Sequence, residues 1–295
     1  MMQQKKIKSF IYKSFKRLWF KVIYFFFLHK PSSIYSQNIF DQNSNSKLDI
    51  ITIAFNNAQI IEYQIRLIKK YLKDDYTHII ADNSNIPEIR KEIYEICNNH
   101  GVLYIELPSI KLKPSWSHAA ALHWSFKNLI KKRNAPYFGF IDHDIFPIRE
   151  TCITDKFMNG IFGRVIPAYG AKHISEEQPY WSLWGGFFFF DYSLFKNIDP
   201  LAIDFFPKAM TDKFILDTAG GLWDKILSKI KLPDCELLLY KQVPIEEGCY
   251  IKNLQSEAYE ELGDWLHIVN LSNWYGVSNL DKKLNSIYNK LENIL

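Results

Sequence analysis

Between residues 48 and 141, four short apolar runs alternate with three helical patterns, and this alternation constrains the fold more than any other feature of the chain. Leu48 to Ala54 reads as a strand and Ala58 to Leu72 carries helical periodicity. His78 to Ala81 ends at Asp82-Asn83-Ser84 and precedes a helical stretch, Ile86 to Asn98. Val102 to Leu107 predicts a third strand, Ser117 to Ile130 a third helix, and Tyr137 to Ile141 a fourth strand that stops at Asp142. Strands buried on both faces and separated by helices imply a mostly parallel sheet with helices on each side, an α/β fold. Ligands of such sheets bind beyond the carboxyl ends of the strands. Asn56 and Asn57, Asp82 to Ser84, and Asp142 to Asp144 all follow strand ends, so three segments can converge on one crevice.

After residue 150 the rhythm changes. Phe162 to Ala168 and Gly185 to Phe190 predict added strands, with Trp181 and Trp184 just before the second. Asp212 to Lys229 is broken by Gly220-Gly221, and Cys235 to Tyr240 predicts a late strand. There is no internal repeat and no second independent apolar unit. With 47% apolar residues in 295, one large core can be filled. The expected organisation is a basic aromatic amphipathic helix over 1–31, a polar linker over 32–47, one domain over 48–275 and a C-terminal helix over 276–295.

Residues 1–30 hold eight Lys or Arg and no acid, whereas the remainder holds 28 basic against 32 acidic residues. A nucleic-acid binder places its positive charge along a folded groove, so that class is not expected. The apolar run Leu18 to Leu28, interrupted by Lys21, falls short of the ~20 residues that a membrane span needs. No small-residue cleavage pattern follows it. Lys13, Arg17 and Lys21 recur every four residues, while Phe15, Leu18, Val22, Phe25 and Phe26 can share another face, and Pro31 ends the pattern. This predicts a helix lying on a membrane surface through residues 8–28, at the cytoplasmic face of the inner membrane; the alternative is a helix packed on the domain or on a second subunit. Cys97, Cys152, Cys235 and Cys249 show no metal-ligand spacing and no disulfide framework, which fits a reducing compartment.

Asp142 and Asp144 flank His143 directly after a buried strand. Residues i and i+2 of extended chain point the same way, so both carboxylates can approach one cation; if the chain turns, one can hold the cation and the other a sugar hydroxyl. Oxygen ligands suit Mg²⁺ or Mn²⁺, which stabilise a diphosphate leaving group. Two acids after a strand also occur as an ordinary turn or helix cap.

In serial order, LDIITIAFNN, ADNSN, SHAAALHWSFK, YFGFIDHDIFPI, WGGFFFF, LDTAGG and the late His267 resemble the landmarks of GT-A fold, nucleotide-sugar-dependent glycosyltransferases, loosely the family with many bacterial polysaccharide and lipopolysaccharide enzymes. The resemblance covers roughly residues 48–270. It implies a single Rossmann-like domain, a nucleotide-sugar donor (a UDP-sugar first), a glycan or lipid-linked acceptor, and Mn²⁺ or Mg²⁺. It also implies that Ala54 to Asn56 border the nucleotide, that Asp82 and Ser84 sit near base or ribose, and that Ser117, His118 and His143 lie at donor phosphate or sugar. Asp142 and Asp144 become the metal-binding acids and His267 a third ligand. Ser117 can also cap a helix whose N–H groups favour an anion, and His267 in DWLHIVN can equally be a core histidine.

Trp181, Trp184, Gly185 and Gly186 are candidates for acceptor binding, since indoles stack on sugars and glycines allow close approach; the same composition describes a buried, bent strand. Inverting transfer needs a carboxylate base. Asp217 in LDTAGG is the choice, although it departs from the acidic pair usual in the family; Asp212, Asp191, Glu246 and Glu247 are rivals. The competing classes are a scaffold or binding protein with a degenerate transferase fold and a metal-dependent nucleotidyltransferase or phosphohydrolase. A dinucleotide oxidoreductase is disfavoured because AFNNAQ replaces the glycine-rich turn.

Overall fold

The structure is a computed structural model that describes residues 19–40, 46–172, 174–231, 240–244, 258–269, 271 and 280–295. Lys13, Phe15, Arg17 and Leu18, as well as Cys235, Glu246, Glu247 and Cys249, lie outside the described residues. Helix α1 spans 19–29. It is followed by β1 (Leu48–Ala54), α2 (Ala58–Tyr71), β2 (Tyr76–Asp82), α3 (Pro87–Asn99) and β3 (Leu103–Glu106). Next come α4 (Pro114–Ser125), a π turn (Phe126–Ile130) and the short α5 (Lys131–Arg133). Strands β4 (Tyr137–Asp142), β5 (Ile145–Pro147), β6 (Ile161–Pro167) and β7 (Trp181–Asp191) complete the first part. The rest comprises β8 (Lys208–Ala209), β9 (Ile215–Leu216), β10 (Tyr240–Pro244), β11 (Ala258–Leu262), β12 (Trp265–Ile268) and α6 (Leu280–Ile294).

The central sheet runs β3-β2-β1-β4-β7-β6. Its first four strands are parallel, and β7 and β6 are antiparallel additions. This is the α/β architecture with a mostly parallel sheet that the sequence predicts. A second sheet, β10-β11-β12-β5, is antiparallel throughout. Asp142 ends β4 and Ile145 starts β5, so the Asp142-His143-Asp144 turn is the junction between the two sheets.

Local sequence explains the elements. Asn57 caps α2 by accepting from Ile60 N at 3.1 Å, a contact worth about 1 kcal/mol. Ile60, Ile61, Ile65 and Ile68 then bury one face. Pro87 and Pro114 open α3 and α4, where their missing N–H groups leave no intrahelical bond unmade. Phe187 to Phe190 alternate across the sheet: Phe188 and Phe190 pack with α4, and Phe187 and Phe189 with Trp265 and Ile145. Arg133 donates to both oxygens of Asp49 at 2.9 Å, a fully buried bidentate pair that ties the end of the helical layer to β1.

Three boundaries differ from expectation. Trp181 and Trp184 lie within β7 rather than before it. The third helix starts at Pro114, so Ser117 is not its cap. The segment read as a linker is docked: Ser36 N donates to Tyr104 O at 2.9 Å, Glu106 N to Ile34 O at 2.9 Å, and Ile39 is fully buried. Tyr35 bridges Ile105, so this stretch covers the outer edge of β3.

Helix α1 shows two faces. Phe27 and Leu28 are buried in the core, with Phe20 and Tyr24 packed against it. Tyr24 Oη lies 2.7 Å from His123 Nδ1 on α4. Trp19, Val22, Ile23, Phe25 and Phe26 remain exposed. Among the described residues, no helix is long and apolar enough to cross a membrane.

Candidate active site

The carboxyl ends of β1 and β2 are held by a lattice of short contacts. Asp82 is fully buried; its carboxylate accepts from Ser84 N at 2.8 Å and from Tyr104 Oη at 2.9 Å. Ser84 Oγ accepts from Asn56 N at 2.8 Å, and Asn56 and Asn85 exchange side-chain bonds at 2.8 and 3.0 Å. Asn56 sits at φ 48°, a region that asparagine tolerates, and Ala54 O accepts from Asn83 N. Ala54, Asp82 and Ser84 therefore brace the rim and are buried in it. Asn56 and Asn83 stand at the surface of that rim, and Asn83 Nδ2 reaches Ser117 Oγ at 3.4 Å.

The Asp142-His143-Asp144 turn is fixed from below by Gln64. Its amide donates to Asp142 O at 2.7 Å and to Ile145 O at 2.8 Å, and its Oε1 accepts from Thr52 Oγ1 at 2.6 Å. His143 is buried with Nδ1 3.3 Å from Ile53 O, so its ring is turned onto β1. The two aspartates diverge. Asp142 Oδ1 lies 3.1 Å from His118 Nε2 in α4, an ion-pair contact too poorly aligned to be a hydrogen bond. Asp144 Oδ1 is buried, has no hydrogen-bond partner and faces His267 Nε2 at 3.8 Å. Ile268 N donates to Asp144 O at 2.9 Å, which anchors β12 to the turn.

Charge follows this geometry. Burial pulls the His118 pKa down, but Asp142, Asp144 and Asp217 outweigh it and hold the imidazole above its ordinary value. Burial works to raise Asp142, yet His118 leaves it below the usual carboxylate range. Asp144 stays raised because burial exceeds the help from His267 and His143.

Behind Asp144 stands a chain that sequence reasoning missed. Glu260 Oε2 accepts from His267 Nδ1 at 2.9 Å and pairs with Arg164 at 2.6 Å. Burial opposes ionisation of Glu260, but His267 and Arg164 hold its pKa low. A carboxylate only accepts, so His267 Nδ1 donates in this bond, and its Nε2 faces Asp144. Trp184 lies between Arg164, 5.0 Å from its ring, and His267, 4.5 Å between centroids. The sequence did hold a signal for Glu260. Gly263-Asp264 is a two-residue turn with Gly263 at φ 59°, which sets Glu260 directly opposite His267.

The glycine pair on β7 closes the floor. A Cβ on Gly186 would stand 2.6 Å from Asp142 Oδ2 and 2.7 Å from the Trp184 ring, and one on Gly185 would stand 2.8 Å from Thr218 Cγ2. The absence of side chains there lets Asp142 and the Asp217-Thr218 loop approach the strand. Asp217 is half-buried and accepts from Tyr169 Oη at 3.4 Å. Of its rivals, Asp191 pairs in register with Tyr137 at the opposite end of β4, Asp212 is exposed, and Glu246 and Glu247 lie outside the described residues. Trp181 is buried in the core against Trp223 and offers no face to an acceptor. Trp184 is half-buried, with its indole against both Arg164 and His267.

Among the described residues, no three His, Cys, Asp or Glu side chains form a ready cation cage. Asp142, Asp144 and His267 are thus two pairs, Asp142 with His118 and Asp144 with His267, rather than one cluster. The donor chemistry nevertheless fits a divalent ion. The buried Asp144 Oδ1 lacks a partner, and the imidazole opposite has its second nitrogen fixed by a carboxylate. Asp144 and His267 are the residues that would hold such an ion.

Fold and site together define a mixed α/β protein with an acidic, histidine-bearing crevice at the carboxyl end of its parallel strands. No protein-family model matches the chain, and no curated protein matches it in sequence. Solved structures similar to it include the mannosyltransferase PcManGT from Pyrobaculum calidifontis in complex with GDP-Man and Mn²⁺, at 14% identity and TM-score 0.36, covering 61% of this chain and 53% of that one. An active-site mutant of LgtC matches at 13% identity and TM-score 0.37, covering 52% and 61%. Glucosyl-3-phosphoglycerate synthase from Mycobacterium tuberculosis, in complex with Mn²⁺, UDP and glucosyl-3-phosphoglycerate, matches at 13% identity and TM-score 0.38, covering 68% and 71%. The chain spans about half the length of the mannosyltransferase.

Proposed function

We propose that the chain is a metal-dependent glycosyltransferase that moves a sugar from a nucleotide-diphosphate sugar, a UDP-sugar first, to a saccharide or lipid-linked acceptor. The observation that carries this reading is the grouping of His118 with Asp142 and of His267 with Asp144 just after β4, with the Asp217-Thr218 loop packed on the adjacent Gly185 and a buried Asp144 oxygen lacking a partner. A divalent ion bound there would stabilise the departing diphosphate. His118, whose pKa its acidic neighbours hold above the ordinary value against burial, favours negative charge beside it, as phosphate oxygens would bring. Asp217 takes the proton of the acceptor hydroxyl as that oxygen attacks the sugar carbon opposite the diphosphate, which gives inversion. In this reading the chain works at the cytoplasmic face of the inner membrane, with residues 8–28 against the lipid.

Nucleotide release from a panel of uridine, guanosine and cytidine diphosphate sugars, with saccharide and polyprenyl-phosphate acceptors, tests the proposal. Acceptor-dependent release, an inverted anomeric signal by NMR, and a loss of roughly 100-fold or more in Asp217→Asn are expected. Release of pyrophosphate from a nucleoside triphosphate and a sugar 1-phosphate, with no sugar acceptor present, would instead support a nucleotidyltransferase.

A further inference from the structure

Helix α1 and the segment just before α4 enclose a cleft of about 540 Å³, open to solvent and mainly apolar. Ile23, Phe26, Phe27 and Ile110 line it, and Lys30 and Lys111 stand at its edge. Phe26 is 68% exposed although it belongs to a helix whose opposite face is in the core. On the same helix Trp19 and Phe25 are exposed as well, Phe25 in contact with Phe26. An apolar area of this kind on a folded domain marks a contact surface.

Charge selects the occupant. Residues 1–30 hold eight basic residues and no acid, six of the eight before Trp19 in the sequence. Lys111 and Lys113 are exposed on the other wall. A folded protein partner would need a matching acidic apolar patch, whereas a bilayer with anionic headgroups supplies apolar depth and negative charge along one plane.

We propose that the α1 face and its cleft form a docking surface for an anionic phospholipid bilayer, with Phe25 and Phe26 entering the acyl boundary and Lys30 and Lys111 at the phosphates. The inference rests in part on the proposed function, because docking brings the crevice to the lipid surface. The segment 109–113 leads directly into α4, which carries His118, and α1 is fastened to α4 and to the π turn after it. Trp124 Nε1 donates to Lys30 O at 3.0 Å, and Lys127 Nζ to Leu28 O at 3.1 Å. A membrane-held α1 therefore sets α4 close to the bilayer, where a lipid-linked acceptor would present its sugar.

Sedimentation of the full chain with phosphatidylcholine vesicles, with and without 30% phosphatidylglycerol, tests this. Strong binding only to the anionic vesicles is expected, weakened about 10-fold or more in a Phe26→Asp/Lys111→Glu variant that keeps residues 1–18 intact. Donor binding by calorimetry should be unchanged in that variant, which also shows that it is folded. Wild-type protein that ignores anionic vesicles, or a variant that binds them like wild type, overturns the proposal. A wild-type dimer that the variant converts to monomer, without vesicle binding, assigns the face to a second copy instead. None of these outcomes depends on transfer activity, so failure here leaves the glycosyltransferase reading standing.

Discussion

Glu260 Oε2 and His267 Nδ1 lie 2.9 Å apart across the turn that joins β11 to β12. The contact orients the ring whose other nitrogen faces Asp144. Glu260→Gln should weaken Mn²⁺ binding by about 10–100-fold, as loss of a partner behind a metal ligand does. Electron paramagnetic resonance titration measures this directly, and the unfolding midpoint in EDTA should move little. Unchanged Mn²⁺ affinity would assign the pair a purely structural role.

Gly186→Ala places a methyl group 2.6 Å from Asp142 Oδ2 and 2.7 Å from the Trp184 ring. Both groups must shift, and overpacking of this kind costs about 1–3 kcal/mol. Transfer should fall by at least about 10-fold, since a displacement near 1 Å at a catalytic group has larger effects than that. Circular dichroism should remain that of the wild type.

Arg133→Met leaves the fully buried Asp49 without its partner. Burial already pushes the Asp49 pKa up against the effect of Arg133. Breaking such a pair costs about 3–5 kcal/mol, measurable in urea denaturation. Replacing Asp49 by Leu in the same variant should recover part of the loss.

His78 sets an acid limit on stability. It is buried beside Thr52, and burial first, with Lys69 second, pulls its pKa down to about 3. Between that value and the ordinary histidine value the unfolded chain binds the extra proton. Stability is therefore complete above about pH 6.5 and is lost as pH falls towards 3. Urea midpoints at pH 7.5 and 5 should differ, and the difference should shrink in His78→Gln.

The parallel half of the fold was legible because each strand is a short apolar run ending in polar residues, and parallel strands are buried on both faces. The Asp142 turn stood out for the same reason, as polar residues after a strand end, whereas His267, within β12, stood out only through the resemblance in serial order. Glu260 and Arg164 were not, since their roles depend on a hairpin register and on the pairing of β12 with β5, which join segments more than 100 residues apart. Gln64 left a trace as the one polar residue in the buried stripe of α2. Asp82 and Ser84 are bonded within the rim itself, a role the sequence does not separate from ligand binding because both use the same residue types. Trp181 misled because one residue's difference in strand phase turns an indole from crevice to core.

The central claim is that Asp144 and His267, with Asp142 and His118 beside them, create a metal-dependent donor site, and calorimetry of a nucleotide-sugar panel with Mn²⁺ tests it most directly. One donor should bind with Mn²⁺, lose affinity in EDTA, and fail to bind the D142A/D144A double variant. Folded wild-type protein that binds no uridine, guanosine or cytidine donor, or a double variant that binds as well as wild type, would contradict the account.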